Sequence, residues 1–115
     1  MKNMIDYTED NAHDFEWFDG FAIIRFYADW CQPCVQHTHT FTCFVTQMSQ
    51  DYPELKFGQV NIDHSPIVTL RHKVFGLPAI LVFYQGQIIH RIAGLKSAHE
   101  LRVIVYKILT NYLSQ

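Results

Sequence analysis

Two spacings of apolar residues alternate along this chain. Residues 21–28, FAIIRFYA, are almost continuously apolar and rich in Ile and Phe. Such a run predicts a strand buried on both faces, with Arg25 as one charge in its middle. AILVFY at Ala79–Tyr84 predicts another strand; Gln85 and Gly86 then supply a tight turn, and residues 87–92 pair back as a hairpin. Met4–Tyr7 reads as a short edge strand and 55–63 as a further strand. The second spacing is helical. Phe41, Phe44, Val45 and Met48 recur at i, i+3, i+4 and i+7, which makes one apolar stripe, ended by Tyr52-Pro53. Leu101, Ile104, Val105, Ile108, Leu109 and Tyr112 form a similar stripe behind Ser97-Ala98-His99-Glu100, whose form is that of a capping box. Two shorter helices are predicted. One covers 10–18, with Thr8 as its cap and Gly20 as its end. The other runs from Pro66, with Ser65 as N-cap, to Val74 or Phe75, where Gly76 stops it. The resulting order, β-α-β-α-β-α-β-β-α, predicts an α/β fold whose sheet contains parallel pairs and carries helices on both faces. No repeat, low-complexity tract or linker breaks the pattern, so 1–115 reads as a single domain.

Composition adds exclusions. The chain has 115 residues, 49% of them hydrophobic, enough to bury a core without a metal or crosslink. Nine basic and eleven acidic residues leave a formal net charge of -2, and no basic patch suggests nucleic acid or a membrane surface. No apolar run approaches the roughly eighteen residues of a membrane span. The start, MKNMIDYTEDNAHDF, is polar and acidic and lacks the apolar core of a signal peptide, so a cytoplasmic location is expected. Three cysteines, two of them as C-x-x-C, do not match a secreted disulfide scaffold.

That pair lies in FYADWCQPC, residues 26–34, and three chemistries are open to it. A structural zinc site needs four ligands, and only one C-x-x-C is present. His37 and His39 follow closely, but residues two apart on a helix point to different faces. An inert structural disulfide would close so short a loop that it would stabilise weakly. A redox pair fits better. Cys31 follows a strand and opens a helix, where free N–H groups and the partial positive charge favour a thiolate, so its pKa is expected to fall. Cys34, one turn further in, is expected to be more sheltered and within reach, giving an exposed attacking sulfur and a buried resolving one. Pro33 rigidifies the first turn, where its missing N–H does no harm.

FYADWCQPC, NID at 61–63, FGLPAILVFYQG at 75–86 and AGLKS at 93–97 together resemble the thioredoxin family, in order and over nearly the whole chain. The resemblance implies a thioredoxin fold, a central mixed sheet of about five strands flanked by about four helices. It implies that Cys31 is the nucleophile and Cys34 the resolving cysteine. It also places Trp30 beside the site, Pro78 as a cis-proline facing the disulfide, the backbone of Leu77 as a pairing edge for an extended substrate, and Gly94 in the substrate groove. It implies a protein-disulfide oxidoreductase that needs neither cofactor nor metal, takes disulfide-containing client proteins, is reduced by a separate reductase or dithiol donor, and is a monomer.

The chain departs from the family at several positions, and two or three extra residues lie between Cys34 and Asn61. Gln32-Pro33 stands where the family usually has Gly-Pro, Val35 where it often has lysine, and His39 where it has a helix-kinking proline. Arg25 stands where the family buries an aspartate, and Gln59 where a lysine usually lies near it. Arg25, Gln32, Pro33 and Gln59 are therefore candidate modulators. Cys43, beside the Phe41–Phe44 stripe, reads as a buried structural thiol. Of the histidines, read as surface or satisfied residues, His37 is the one near the chemistry. Two rival functions remain at this point: a thiol oxidase or isomerase, and a non-catalytic binding module using the Pro78 groove.

Overall fold

The computed structural model describes residues 4–113; residues 1–3 and 114–115, which the single-domain reading also spans, lie outside the described residues. The element order is β1 (Met4–Tyr7), α1 (His13–Glu16), β2 (Phe21–Tyr27), α2 (Gln32–Asp51), β3 (Lys56–Asn61), α3 (Pro66–Arg71), β4 (Ala79–Tyr84), β5 (Gln87–Ala93) and α4 (Ala98–Leu113), the order expected from the apolar spacing. One mixed sheet of five strands runs β1-β3-β2-β4-β5. β1, β3 and β2 are mutually parallel, and β4 and β5 turn back antiparallel.

β2 is the central strand because both of its faces are apolar. Phe21 and Ile23 join Phe41, Phe44, Val45 and Met48 of α2 and Leu101, Val105 and Leu109 of α4 in one core. Ala22, Ile24 and Phe26 join Phe15, Val68, Leu81 and Phe83 in a second core on the opposite side. Each fully buried Phe, Ile or Leu contributes roughly 1.5–3 kcal/mol of transfer free energy. The predicted capping box of α4 is present and reciprocal: the Glu100 N–H donates to Ser97 Oγ at 3.0 Å, and the Ser97 N–H donates to Glu100 Oε1 at 2.9 Å. At the hairpin, Gln85 (φ 53°) and Gly86 (φ 80°) are both left-handed, the conformation a two-residue turn needs to match strand twist.

Five expectations are corrected. α1 covers only His13–Glu16, not 10–18, and Thr8 does not cap it. Asn11 Oδ1 instead accepts from the Thr8 N–H at 2.6 Å, and Thr8 Oγ1 from the Asp10 N–H at 3.2 Å, so local side-chain bonds hold this stretch as a turn. The predicted strand 55–63 is trimmed to Lys56–Asn61, because Asn61 Oδ1 accepts from the Asp63 N–H and bends the chain away. Ser65 makes no side-chain cap on α3. Glu9, far away in sequence, does that work: its carboxylate accepts from the Ile67 N–H at 2.5 Å. α3 also stops at Arg71 rather than at 74 or 75, since Lys73 turns left-handed (φ 57°) and returns Val74 to the second core.

Candidate active site

The end of β2 and the start of α2 bring Cys31 and Cys34 together as a disulfide with Cα atoms 5.2 Å apart. Cys31 is the N-cap residue of α2, with φ -86° and ψ 104°, and Pro33 occupies the first turn. The Cys31 sulfur accepts from the Cys34 N–H at 3.2 Å, as an N-cap hydroxyl would. A negative charge on that sulfur would therefore meet both a free amide and the positive end of a 20-residue helix. Both cysteines are sheltered in the disulfide: Cys31 is 6% exposed and Cys34 1%. The expected order of exposure is kept, but Cys31 is less open than expected, because Ala28, Tyr27, Ile62 and Leu77 pack around the pair. Gln32 and Pro33 are exposed on the rim.

The rest of the predicted site lines this rim. Trp30 is 69% exposed, so it is no core aromatic, and its Nε1–H donates to Asp63 Oδ2 at 2.8 Å. A cleft of about 380 Å³ runs from Trp30 and Cys31 past Ile62 to Phe75 and Leu77. The Leu77–Pro78 peptide bond is cis. A second cleft, of about 320 Å³, leads from Phe75 and Leu77 along Pro78 to Gly94. Gly94 has φ +81° and open space where a Cβ would lie, so its requirement for glycine is conformational.

Behind the cysteines, Arg25 is 1% exposed and does not reach solvent. Its Nη1 donates to Gln59 Oε1 at 3.1 Å, and its Nη2 donates to the Cys34 carbonyl at 2.6 Å and to Thr38 Oγ1 at 3.2 Å. Gln59 Nε2 in turn donates to Asp6 Oδ1 at 2.9 Å. The three side chains form one row because strand register pairs Asp6 with Gln59 and Gln59 with Arg25. Burial lowers the Arg25 pKa from its usual value, yet a guanidinium keeps its proton at neutral pH.

His37 is buried rather than on the surface, at 3% exposed, and its Nε2 lies 3.1 Å from the Lys96 carbonyl in the loop that carries Gly94. Burial chiefly lowers its pKa, and the charge of Arg25 adds to this against the Lys96 hydrogen bond. Cys43 is half-buried, not a core thiol, and its sulfur lies 3.4 Å from His39 Nε2. It faces outward because it falls between the apolar positions Phe41 and Phe44. Among the described residues no group of three or more His, Cys, Asp or Glu is placed to hold a metal ion.

Sequence reasoning named Trp30, Cys31, Gln32, Pro33 and Leu77, which line the first cleft, Pro78 and Gly94, which line the second, and Cys34, Arg25 and Gln59, which lie behind. It did not assign Asp6, Ile62, Asp63 or Phe75. Phe75, 84% exposed beside a buried proline, could have been found as an apolar residue with no core to join.

The family profile described as Thioredoxin matches residues 7–107. The chain belongs to the thioredoxin family. Its similarity to individual thioredoxins is moderate. It is 33% identical over 87 residues to thioredoxin 1 of Chlorobaculum tepidum, which covers 75% of this chain and 82% of that one. It is 30% identical over 93 residues to a thioredoxin of Chlamydia caviae (79% and 87% covered). A thioredoxin of Chlamydia pneumoniae is 25% identical over 99 residues (84% and 93%). In fold, the chain is similar to a solved structure described as the structural basis of the thiol resolving mechanism in yeast mitochondrial 1-Cys peroxiredoxin via glutathione/thioredoxin systems. That likeness has a TM-score of 0.73 at 23% identity and covers 90% of this chain and 94% of the other. With its disulfide-capable Cys31–Cys34 pair, this member of the family is a thiol–disulfide oxidoreductase. Thioredoxins act on disulfide substrates and are reduced by a reductase. Among the described residues no helix is long and apolar enough to cross a membrane.

Proposed function

We propose that this chain is a single-domain monomer of the cytoplasm that reduces protein disulfides, with Cys31 as nucleophile and Cys34 as resolving cysteine. The observation that carries the assignment is the Cys31 sulfur at the N-cap of α2, held by the Cys34 N–H. In the reduced protein the Cys31 thiolate attacks one sulfur of a client disulfide. A mixed disulfide forms, and the client's other sulfur leaves as a thiolate and takes a proton. The Cys34 thiol then gives up its proton, and its sulfur attacks Cys31. The client's second thiol departs and Cys31–Cys34 closes. Two electrons have moved to the client, and a separate reductase or a dithiol protein returns them. The client lies extended across the clefts, its backbone on Leu77 and Pro78 and its side chains between Trp30 and Gly94. Support for this comes from the two clefts that meet at Phe75 and Leu77 beside Cys31.

The test is turbidimetric insulin reduction with a small dithiol as electron source. The wild type is expected to accelerate precipitation, and Cys31→Ser to fall to the uncatalysed rate. Cys34→Ser is expected to accumulate client mixed disulfides that Cys31→Ser does not form. Equal trapping by both variants would reverse or abolish the assigned roles. A wild type without activity would leave the binding-module reading in its place.

A further inference from the structure

Arg25 is a buried cation for which no carboxylate makes an ion pair among the described residues. Its acceptors are all neutral: Gln59 Oε1, Thr38 Oγ1 and the Cys34 carbonyl. Its Nε has no hydrogen-bond partner. The rings of Tyr27 and Phe41 lie 4.9 and 5.8 Å from the guanidinium carbon, and their faces offer partial negative charge only. The nearest acidic group along the network is Asp6, one side chain removed through Gln59 and itself in solvent. A charge taken out of water without a charged partner is costly. Something in the functional cycle can supply the missing negative charge, and the residue that Arg25 touches most closely identifies it. At 2.6 Å from the Cys34 carbonyl, the guanidinium sits behind the residue whose sulfur is released when the disulfide opens. Cys34 as a residue is 1% exposed, so water does little to screen the interaction.

We propose that Arg25 is a positioning residue that sets the redox poise of the Cys31–Cys34 pair, holding an unpaired cation behind Cys34 that meets a negative charge in the pair only when the disulfide is reduced. The proposal rests on the reading of Cys31–Cys34 as the exchanging pair. In the oxidised protein both sulfurs are neutral and the cation is uncompensated. Two glutathione thiols reduce the pair: the Cys31–Cys34 bond breaks, a glutathione disulfide bond forms, and two electrons pass to the protein. The two protons of the glutathione thiols go to the protein sulfurs, or one is released to solvent when one sulfur stays as thiolate. The field of Arg25 favours that thiolate, so it favours the reduced form and makes the pair a weaker reductant. The same field lowers the barrier for Cys34 to lose its proton before it attacks Cys31. The other titratable groups facing this cation are Asp6 through Gln59 on the β1 side, Tyr27 on β2 and His37 on α2. Tyr27, its pKa raised chiefly by burial, and His37, its pKa lowered chiefly by burial, both face the cation as neutral groups.

The charge and the hydrogen bonds of Arg25 are separable. Arg25→Lys keeps a cation, while Arg25→Gln keeps a donor toward the Cys34 carbonyl without charge. Each variant is equilibrated with glutathione and glutathione disulfide at pH 7, and the reduced fraction is read by alkylation and mass. Arg25→Gln is expected to lower the equilibrium constant for reduction at least tenfold, equivalent to about 30 mV for a two-electron couple. Arg25→Lys is expected to stay within about threefold of the wild type. An unchanged constant in Arg25→Gln overturns the proposal, and so does a fall in Arg25→Lys as large as that in Arg25→Gln. A second readout needs no disulfide exchange. In a Cys31→Ser background the alkylation rate of Cys34 at pH 7 is compared with and without Arg25→Gln, using Cys43 on the same helix as internal reference. Loss of the cation should slow Cys34 at least tenfold relative to Cys43, whereas mere loosening of the site would speed it. A wild type that does not exchange with glutathione removes the proposed function; the Cys34 rates still decide the role of Arg25.

Discussion

Glu16 and Arg25 are both charged groups drawn out of water, and the protein treats them in opposite ways. The Glu16 side chain is 14% exposed and accepts from Arg71 Nε at 2.9 Å and from His72 Nε2 at 2.5 Å. His72 is itself pinned against Phe15 and Phe83. Burial pushes the Glu16 carboxyl up, but Arg71 and His72 outweigh it and hold the group below its ordinary pKa. Arg25, more deeply buried, receives dipoles instead of a charge. At Glu16 the pairing is complete and joins α1 to the end of α3, a structural task with no cycle. At Arg25 the pairing is left open beside the one place where charge comes and goes. A buried charge with its partner present stabilises the fold; one with its partner absent is available to chemistry.

The largest test of this contrast is stability in urea with the disulfide intact. Glu16→Ala strands the His72 donor, 12% exposed, while the half-exposed Arg71 turns to water, and is expected to cost about 2 kcal/mol. Arg25→Met removes an uncompensated charge and is expected to change stability by less than about 1 kcal/mol, or to raise it. Equal losses in the two variants would erase the distinction. The Glu16 contribution should also be present above its unfolded pKa of about 4.3 and disappear as pH falls through its lower folded value.

A smaller effect is expected at Glu9, a third kind of charge, which contacts only the backbone. Glu9→Ala should cost about 1 kcal/mol, the usual value of a cap, and should speed amide exchange at Ile67 and Val68 while leaving α4 unchanged. Uniform loosening of the molecule would show that Glu9 does more than cap α3. The smallest effect concerns His37, beside Arg25. Its lowered pKa means that the fold prefers the neutral imidazole. Its stabilising contribution should be full above about pH 6.5 and lost as pH falls from there through the folded value, with a slope below about 1.4 kcal/mol per pH unit. Urea midpoints from pH 7.5 to 5 should flatten in His37→Gln. Arg25→Gln should remove part of the slope, since its cation contributes to the shift. A His37→Gln protein that keeps the full slope would place the titration elsewhere.

Strand and helix order were legible because the core is built from unmixed patterns: FAIIRFYA can only be buried on both sides, and the stripe of α4 has one apolar face. The rim of the site was legible because WCQPC and the proline at 78 carry backbone demands that few sequences share. What was not legible depends on side chains meeting from distant segments. Ser65 looked like a cap, but Glu9 reaches the α3 terminus first. Arg25 and Gln59 stand together as departures from the family, and their pairing follows from strand register. The Cys34 carbonyl was not a foreseeable acceptor, because it depends on how α2 crosses the strand. His37 read as surface or satisfied, and which of the two depended on the loop at Lys96, which closes over it. Cys43 looked buried from its neighbours, although an i+2 step from Phe41 turns it outward.

Gly58 restricts which substitutions this chain can accumulate. A Cβ there would meet the ring of Tyr7 with Cδ2 at 2.5 Å, so even alanine cannot enter while the tyrosine stays. The tyrosine cannot easily leave either, because its hydroxyl donates to Asp14 at 2.5 Å and Asp14 pairs with Lys56 at 3.1 Å. Four positions on three segments are thus tied to one missing methyl group. Single changes at any of them are penalised, while a coordinated set needs both a smaller residue at 7 and a small shift of the Ile5 carbonyl, 3.0 Å from a Cβ at 58. Among descendants of this sequence, positions 7, 14, 56 and 58 should therefore vary together or not at all, although none of them touches the cysteines.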